Sequence, residues 1–99
     1  MAKFFIHWEV DPARTPVDPE ERAKLWLSML EMTKADLQTG VLKDWGIRGG
    51  GGCGYGVSEL SEAELFSALL KYIPYVRFEV HPVLTVDQCI ETVKKVAQK

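Results

Sequence analysis

The sequence predicts an α+β fold with one antiparallel four-stranded sheet, two helices on one face and an additional C-terminal helix. Three observations support it. Three segments begin with helix-capping residues, four segments alternate apolar and polar residues with the period of a strand, and their order is β-α-β-β-α-β followed by a helix. That order is the split βαβ, or ferredoxin-like, arrangement. We therefore expect residues 1–99 to form one ferredoxin-like domain.

The first strand and first helix are marked by opposite periodicities. In residues 4–10, FFIHWEV, every second side chain is apolar, which leaves Phe5, His7 and Glu9 on the other face of the strand. Asp18 then provides an N-cap, with proline at the first helical position. Apolar residues recur at helical spacing until Gly40, which is a typical C-terminal stop. We predict a strand and then a long amphipathic helix.

Six of the eight glycines lie between positions 49 and 56, in the segment GGGGCGYG. The spacing satisfies G-x-G-x-x-G, but a dinucleotide loop must lead from a strand into a helix, and here a strand follows. Residues 49–52 are therefore predicted to form the turn between two short strands, at about residues 41–48 and 53–58. Within the second of these strands we place Tyr55 and Val57 toward the helices. Gly54 and Gly56 would then form the floor of an open trough on the other face.

The second helix begins with the capping-box sequence Ser61 to Glu64, and Pro74 follows it. Residues 76–81 form the fourth alternating strand. The last helix starts after Thr85 and carries an apolar stripe formed by Val86, Cys89, Ile90, Val93 and Val96. We expect this helix to be ordered and docked on its own subunit or on a partner, because such a stripe is unfavourable in water.

Composition excludes several function classes. Hydrophobic residues make up 46% of the chain, and the formal net charge is -2. This charge gives no electrostatic reason to expect nucleic acid or an anionic membrane as a partner, and no apolar run is long enough to span a bilayer. The two cysteines form no C-x-x-C motif, so we expect a reducing, cytoplasmic compartment.

The helix-free face of the predicted sheet collects the residues capable of chemistry. They are His7, Glu9, Asp44, Arg48, Arg77, Glu79 and His81, arranged around Gly54 and Gly56. A histidine beside carboxylates can transfer protons near neutral pH, and an arginine can hold a carboxylate through two hydrogen bonds. We therefore take His7, Glu9 and Glu79 as candidate catalytic residues, with His7 moving the proton. Arg48, Arg77, Asp44, His81 and the two glycines are the candidate substrate-binding residues.

Two other interpretations of the same residues remain open. In one interpretation, the charges only pair with one another in a subunit interface or face water, as such groups often do. Alternatively, His7, His81 and Glu79 are a set that metal sites use, but the sequence has no dedicated ligand motif, so we predict neither a metal nor a cofactor.

Several segments together resemble the muconolactone isomerase family, small proteins of the dimeric α+β barrel superfamily. They are residues 4–10, Trp45, the helix start SEAEL at 61–65 and the strand PYVRFEVHP at 74–82. The resemblance implies a homodimer or higher homo-oligomer, and a cavity beside the helix-free face that binds a small carboxylated substrate and moves a proton. The chain departs from that family where Gly50, Gly51 and Gly52 replace polar and aromatic residues of the hairpin. We thus carry two hypotheses, an isomerase-like enzyme and a non-catalytic ligand-binding or assembly module.

Overall fold

The structure is a computed structural model that describes residues 2–98. Its four strands form one antiparallel sheet in the order β2-β3-β1-β4. This confirms the predicted α+β, ferredoxin-like fold. In chain order, the elements are β1 (Phe4–Val10), a 3₁₀ turn (Pro12–Arg14), α1 (Pro19–Thr39), β2 (Asp44–Ile47), β3 (Cys53–Ser58), α2 (Glu62–Leu69), a second 3₁₀ turn (Leu70–Tyr72), β4 (Val76–Pro82) and α3 (Val86–Ala97).

The helix boundaries follow from local hydrogen bonds that the sequence predicts. The Asp18 side chain accepts a hydrogen bond from the Glu21 amide at 3.0 Å, which starts α1. Gly40 ends α1 with φ of 85°, a backbone conformation that residues other than glycine rarely adopt. Reciprocal capping boxes begin α2 at Ser61 and α3 at Thr85. All three predicted helix starts are therefore confirmed.

The glycine run forms the β2–β3 hairpin turn, as predicted. The Arg48 amide donates to the Cys53 carbonyl at 2.8 Å, and the Gly51 amide donates to the Arg48 carbonyl at 2.7 Å. Gly51 and Gly52 have φ of 79° and 85°, so the turn uses glycine where the chain must enter the left-handed region.

The core lies on the face of the sheet that α1 and α2 cover. Apolar side chains of β1 pack there against α1 through Met29 and against α2 through Leu65. Burying such side chains contributes about 1.5–3 kcal/mol each before the cost of ordering the chain. The buried apolar cluster comprises Phe4, Ile6, Trp8, Met29, Leu42, Leu65, Leu69, Tyr72 and Val76.

A polar network is embedded at the edge of this core. The buried Asp36 of α1 accepts hydrogen bonds from the Tyr72 hydroxyl and the Lys71 ammonium, each at 2.7 Å. The Thr33 hydroxyl donates to the Met29 carbonyl at 2.9 Å and lies 3.3 Å from the Tyr72 oxygen. The network thereby ties α1 to the segment that leads into β4 and leaves the buried carboxylate paired.

Helix α3 is ordered, as expected, but it is not docked on its own subunit. No residue of α3 within the described part of the chain is buried. The longest dimension of the molecule is 62 Å, and its radius of gyration is 16.6 Å, against about 13 Å expected for a compact chain of this length. Of the two predicted alternatives, docking on the helix's own subunit is wrong, and docking on a partner stays a prediction.

Candidate functional site

The register of the strands decides which side chains share a face. Ile6 and Trp8 of β1 are buried under the helices, and their partners on β3 are Gly56 and Gly54. Directly paired residues point to the same side of a sheet. Both glycines therefore lie on the helix-covered face, and the prediction that they form the floor of a trough on the open face is wrong.

Gly54 lies on the helix-covered face because the indole ring of Trp8 needs the space that a side chain at position 54 would occupy. A Cβ atom on Gly54 would meet the indole ring of Trp8 at 2.6 Å and would clash with the Gly46 carbonyl oxygen. The Trp8 ring lies across this position, donates a hydrogen bond to the Tyr55 carbonyl at 3.2 Å and stacks on Trp45 with ring centroids 5.4 Å apart. The glycine thus accommodates a neighbouring indole.

Between α1 and the sheet lies a pocket of about 150 Å³ that opens to solvent, which we call the tryptophan pocket. All three tryptophans of the chain, Trp8, Trp26 and Trp45, line it. Gly56 contributes to the sheet side of the pocket, and a Cβ atom there would meet Ile6 and Leu42 only at ordinary contact distances of 3.6–3.7 Å. The absence of a side chain at Gly56 therefore leaves room on that side.

The lining of the tryptophan pocket carries no charged side chain among the described residues. Its hydroxyl groups belong to Thr33 and Tyr72, which the Asp36 network already engages. Burial raises the pKa of Tyr72 far above its ordinary value, and although the Thr33 contact opposes this rise, the hydrogen bond to Asp36 adds to it. The phenol is therefore neutral at physiological pH, and the pocket offers no group suited to proton transfer there.

The open face brings together all three predicted catalytic residues and one of the predicted binding residues, Arg77. His7 lies between Tyr55 of β3 and Glu79 of β4, and its Nδ1 atom is 3.7 Å from a Glu79 carboxylate oxygen. Next to this pair, the Arg77 guanidinium donates to the Glu9 carboxylate at 2.7 Å. Together they border a shallow concavity of about 330 Å³. The strand register thus assembles an imidazole, two carboxylates and a guanidinium on one surface, each substantially exposed to solvent.

Apart from the two glycines, the remaining predicted residues lie at the edges of this surface. His81 is opposite Phe5 at the far end of β4. The Arg48 guanidinium donates to the Gly51 carbonyl at 3.1 Å, within its own hairpin. Asp44 accepts a 2.8 Å hydrogen bond from the Tyr55 hydroxyl, which raises the pKa of Tyr55 above its ordinary value.

The prediction that Tyr55 and Val57 point toward the helices is wrong, because both lie on the open face, where they pair with His7 and Phe5. The Tyr55 ring stacks parallel to Phe5 at 6.3 Å and covers Gly46, where a Cβ atom would come within 2.5 Å of the ring. The signal that could have placed it is the pairing of bulky and small residues on adjacent strands. Gly46 makes room for Tyr55 on one face, as Gly54 does for Trp8 on the other.

Two further properties concern the part of the chain that the structure describes. Within residues 2–98, no three histidine, cysteine or acidic side chains converge as metal ligands would, and His7, Glu79 and His81 form no such group. Over the same residues, none of the helices has the length and apolar character needed to cross a membrane.

No pattern in the sequence indicated the pocket beside the three tryptophans.

Comparison of the sequence with curated proteins gives no match. A family described as a domain of unknown function, DUF3303, matches residues 2–97. Since this match spans nearly the whole sequence, the chain belongs to the DUF3303 family.

Proposed function

We propose that this protein binds a small, uncharged, apolar molecule in the tryptophan pocket. The observation that carries the proposal is an open cavity of about 150 Å³ between α1 and the sheet, with three indole rings in its wall and no charged side chain among its lining residues. Ligand sites are typically apolar and concave, with few polar groups. A core formed only for stability would be packed more closely.

The size and chemistry of the pocket restrict the ligand. In an unrelated protein, a dry apolar cavity of about 150 Å³ holds one benzene-sized ring. Offset stacking or edge contacts with Trp8 and Trp45 favour a planar ring. A carboxylate would lose its hydration here without gaining a cation. The pocket therefore favours a neutral monocyclic compound over the carboxylated substrate that the sequence resemblance implies.

Toluene is a suitable probe, and Gly56→Val is the variant that tests its site. Valine suits a strand and would occupy the pocket from the sheet side. We expect toluene to shift the NMR signals of the tryptophan indoles in the wild type, and this response to be lost in Gly56→Val. The matched control is Gly49→Val, because a Cβ atom at Gly49 has no neighbour within 4 Å.

Binding must be compared in variants that still fold, which circular dichroism and thermal melting establish. Loss of the toluene response in Gly56→Val, with retention in Gly49→Val, would support the tryptophan pocket as the site. Equal binding by both variants, or no response of the wild type to saturating toluene, would contradict the proposal.

A second candidate function rests on the open face. We propose, as the alternative, that His7 transfers a proton in a small carboxylated substrate, as the resemblance to muconolactone isomerase implies. Its support is the arrangement of His7 beside Glu79, next to Arg77. Glu79 can orient the imidazole, and Arg77 can exchange its exposed partner Glu9 for a substrate carboxylate. In this proposal a second subunit would cover the open face and exclude water from the reaction.

Muconolactone in deuterated buffer tests the alternative directly. We expect the protein to exchange a substrate C–H proton for deuterium, and His7→Gln to abolish the exchange. Arg77→Gln should raise the substrate concentration at which the exchange rate is half-maximal. Arg22→Gln on α1 should leave that concentration unchanged, because Arg22 lies over Trp26 on the helix side. Exchange that persists in His7→Gln, or no exchange above the buffer rate with wild-type protein, would eliminate this alternative.

A further inference from the structure

We propose that α3 pairs with α3 of a second copy of this chain, in antiparallel orientation, and that this helix pair is a self-association surface. The inference is independent of the proposed ligand. It rests on an exposed apolar seam, on the distribution of charges beside that seam, and on the position of the helix away from the rest of the molecule.

The apolar seam of α3 has the spacing of a two-helix pair. Val86, Ile90, Val93 and Ala97 follow one another at intervals of four, three and four residues, as in a coiled coil. Val86, Ile90 and Val93 are between 46% and 73% exposed. Cys89 and Val96 widen the seam along one side. Beta-branched side chains of this kind in an exposed row favour a packed partner over water.

The charges beside the seam specify antiparallel self-pairing. Asp87 and Lys94 are seven residues apart, two helical turns, and therefore lie on the same flank of the seam. When two copies run antiparallel, Ile90 of each helix faces the partner's Val93. Asp87 of each helix then lies near the partner's Lys94. The two-fold symmetry forms this ion pair twice, whereas in a parallel pair Asp87 and the partner's Lys94 would lie on opposite flanks of the seam and could not meet.

The position of α3 makes a second copy the fitting partner. The helix follows Pro82, at the end of β4 where β1 begins, and Val83 is held there by a hydrogen bond to the Lys3 carbonyl of 2.9 Å. Within residues 2–98, no residue of α3 is buried. A helix of 12 residues is about 18 Å long. The surface that each helix buries in such a pair is smaller than the roughly 800 Å² per partner of a stable interface. We therefore expect a weak, micromolar dimer.

Charge reversal in the full-length chain tests the pairing. Asp87→Lys places a positive residue against the partner's Lys94 in each of the two symmetric contacts, and Lys94→Asp creates the opposite mismatch. Each variant should weaken the dimer about tenfold or more in sedimentation experiments at low salt. The controls are Glu91→Lys and Lys95→Asp, which change the net charge equally but lie further from the seam. The controls should leave the dimer within about threefold of wild type.

Mixing separates pairing from any effect on the helix itself. Equal amounts of the Asp87→Lys and Lys94→Asp proteins should form a heterodimer, and the double variant should recover the homodimer, because both combinations restore two opposite-charge pairs. Recovery by either route at unchanged helix content would support the proposal. A monomeric wild type at hundreds of micromolar would overturn it. So would a dimer insensitive to both single reversals, since α3 would then pack on the sheet face or the tryptophan pocket of its partner, or on nothing.

Discussion

Replacement of Tyr72 by phenylalanine isolates the energetic role of the polar network at the edge of the core. The substitution keeps the ring and removes one hydroxyl. That hydroxyl donates to the buried Asp36 carboxylate at 2.7 Å. After its loss, Asp36 retains the Lys71 ammonium, but a buried acceptor loses one of its donors. We expect the Tyr72→Phe protein to fold with a lower free energy of unfolding.

The magnitude follows from the charge and burial of the acceptor. A hydrogen bond to a charged group contributes about 1.5–3 kcal/mol, and an unsatisfied buried acceptor costs a similar amount. We therefore expect a loss of about 2 kcal/mol. For a domain of this size, about 1 kcal/mol lowers the melting temperature by roughly 4–8 °C. The melting temperature of Tyr72→Phe should thus fall by roughly 8–16 °C.

Tyr55→Phe provides a matched control. Tyr55 also donates to an aspartate, Asp44, at the similar distance of 2.8 Å, but this pair is exposed. Water can replace the lost donor there. The same substitution should therefore leave the melting temperature nearly unchanged. Comparing the two variants tests burial as the cause, because the chemical change and the type of partner are the same.

The pH dependence of the Tyr72 contribution is measured by urea unfolding of wild type and Tyr72→Phe at about pH 8 and about pH 11. Burial raises the pKa of Tyr72 above its ordinary value of 10.0. In alkali the unfolded chain therefore loses this proton before the folded chain does. The stability that Tyr72 provides is complete below pH 10 and declines above it, by up to about 1.4 kcal/mol per pH unit. The stability difference between wild type and Tyr72→Phe should accordingly narrow at high pH.

Two results would refute this account. If Tyr72→Phe lowers the melting temperature no more than Tyr55→Phe does, burial does not strengthen the Asp36 contact. If the difference between wild type and Tyr72→Phe stays constant from pH 8 to pH 11, the folded and unfolded chains bind the Tyr72 proton equally, and the raised pKa is wrong.

The other predictions concern single positions in the sheet and at a helix start. Gly54→Ala should lower the free energy of unfolding by about 1–3 kcal/mol, because its Cβ would clash with the Trp8 indole and a backbone carbonyl. Gly56→Ala should leave the free energy of unfolding unchanged or raise it slightly. Equal effects at both positions in urea unfolding would contradict the packing described. Ser61→Ala should cost about 1 kcal/mol through loss of the capping box, and Ser61→Asp should largely preserve stability. If Ser61→Asp loses as much as Ser61→Ala in thermal melting, the cap is not the cause.

The sequence predicted the order of the elements and most of their ends because these depend on contacts between near neighbours. The Ser61 and Thr85 capping boxes each join residues three positions apart. The turn at Gly51 and Gly52 depends on backbone angles that glycine adopts without strain. Such signals act locally and can be recognised without knowing how the chain packs.

The face of β3 could not be predicted in the same way. Alternation fixes that Tyr55 and the flanking glycines point to opposite sides, but not which side is which. From the sequence we placed Tyr55 and Val57 toward the helices. In the structure, the core beside β3 is already occupied by Trp8 and Trp45 from the adjacent strands. The register between strands far apart in sequence therefore determined which face of β3 each residue occupies. It places Gly56 in the tryptophan pocket and not on the open face.

By itself, the sequence determined that His7, Glu9, Arg77 and Glu79 share one face, because they alternate with apolar residues on two strands whose apolar sides both face the core. Only the tertiary structure decided that α1 and the sheet leave a pocket between them and that, within residues 2–98, no residue of α3 is buried. Both depend on how closely whole layers approach each other. That separation is set by the combined volumes of side chains from many segments, which no local pattern in the sequence records.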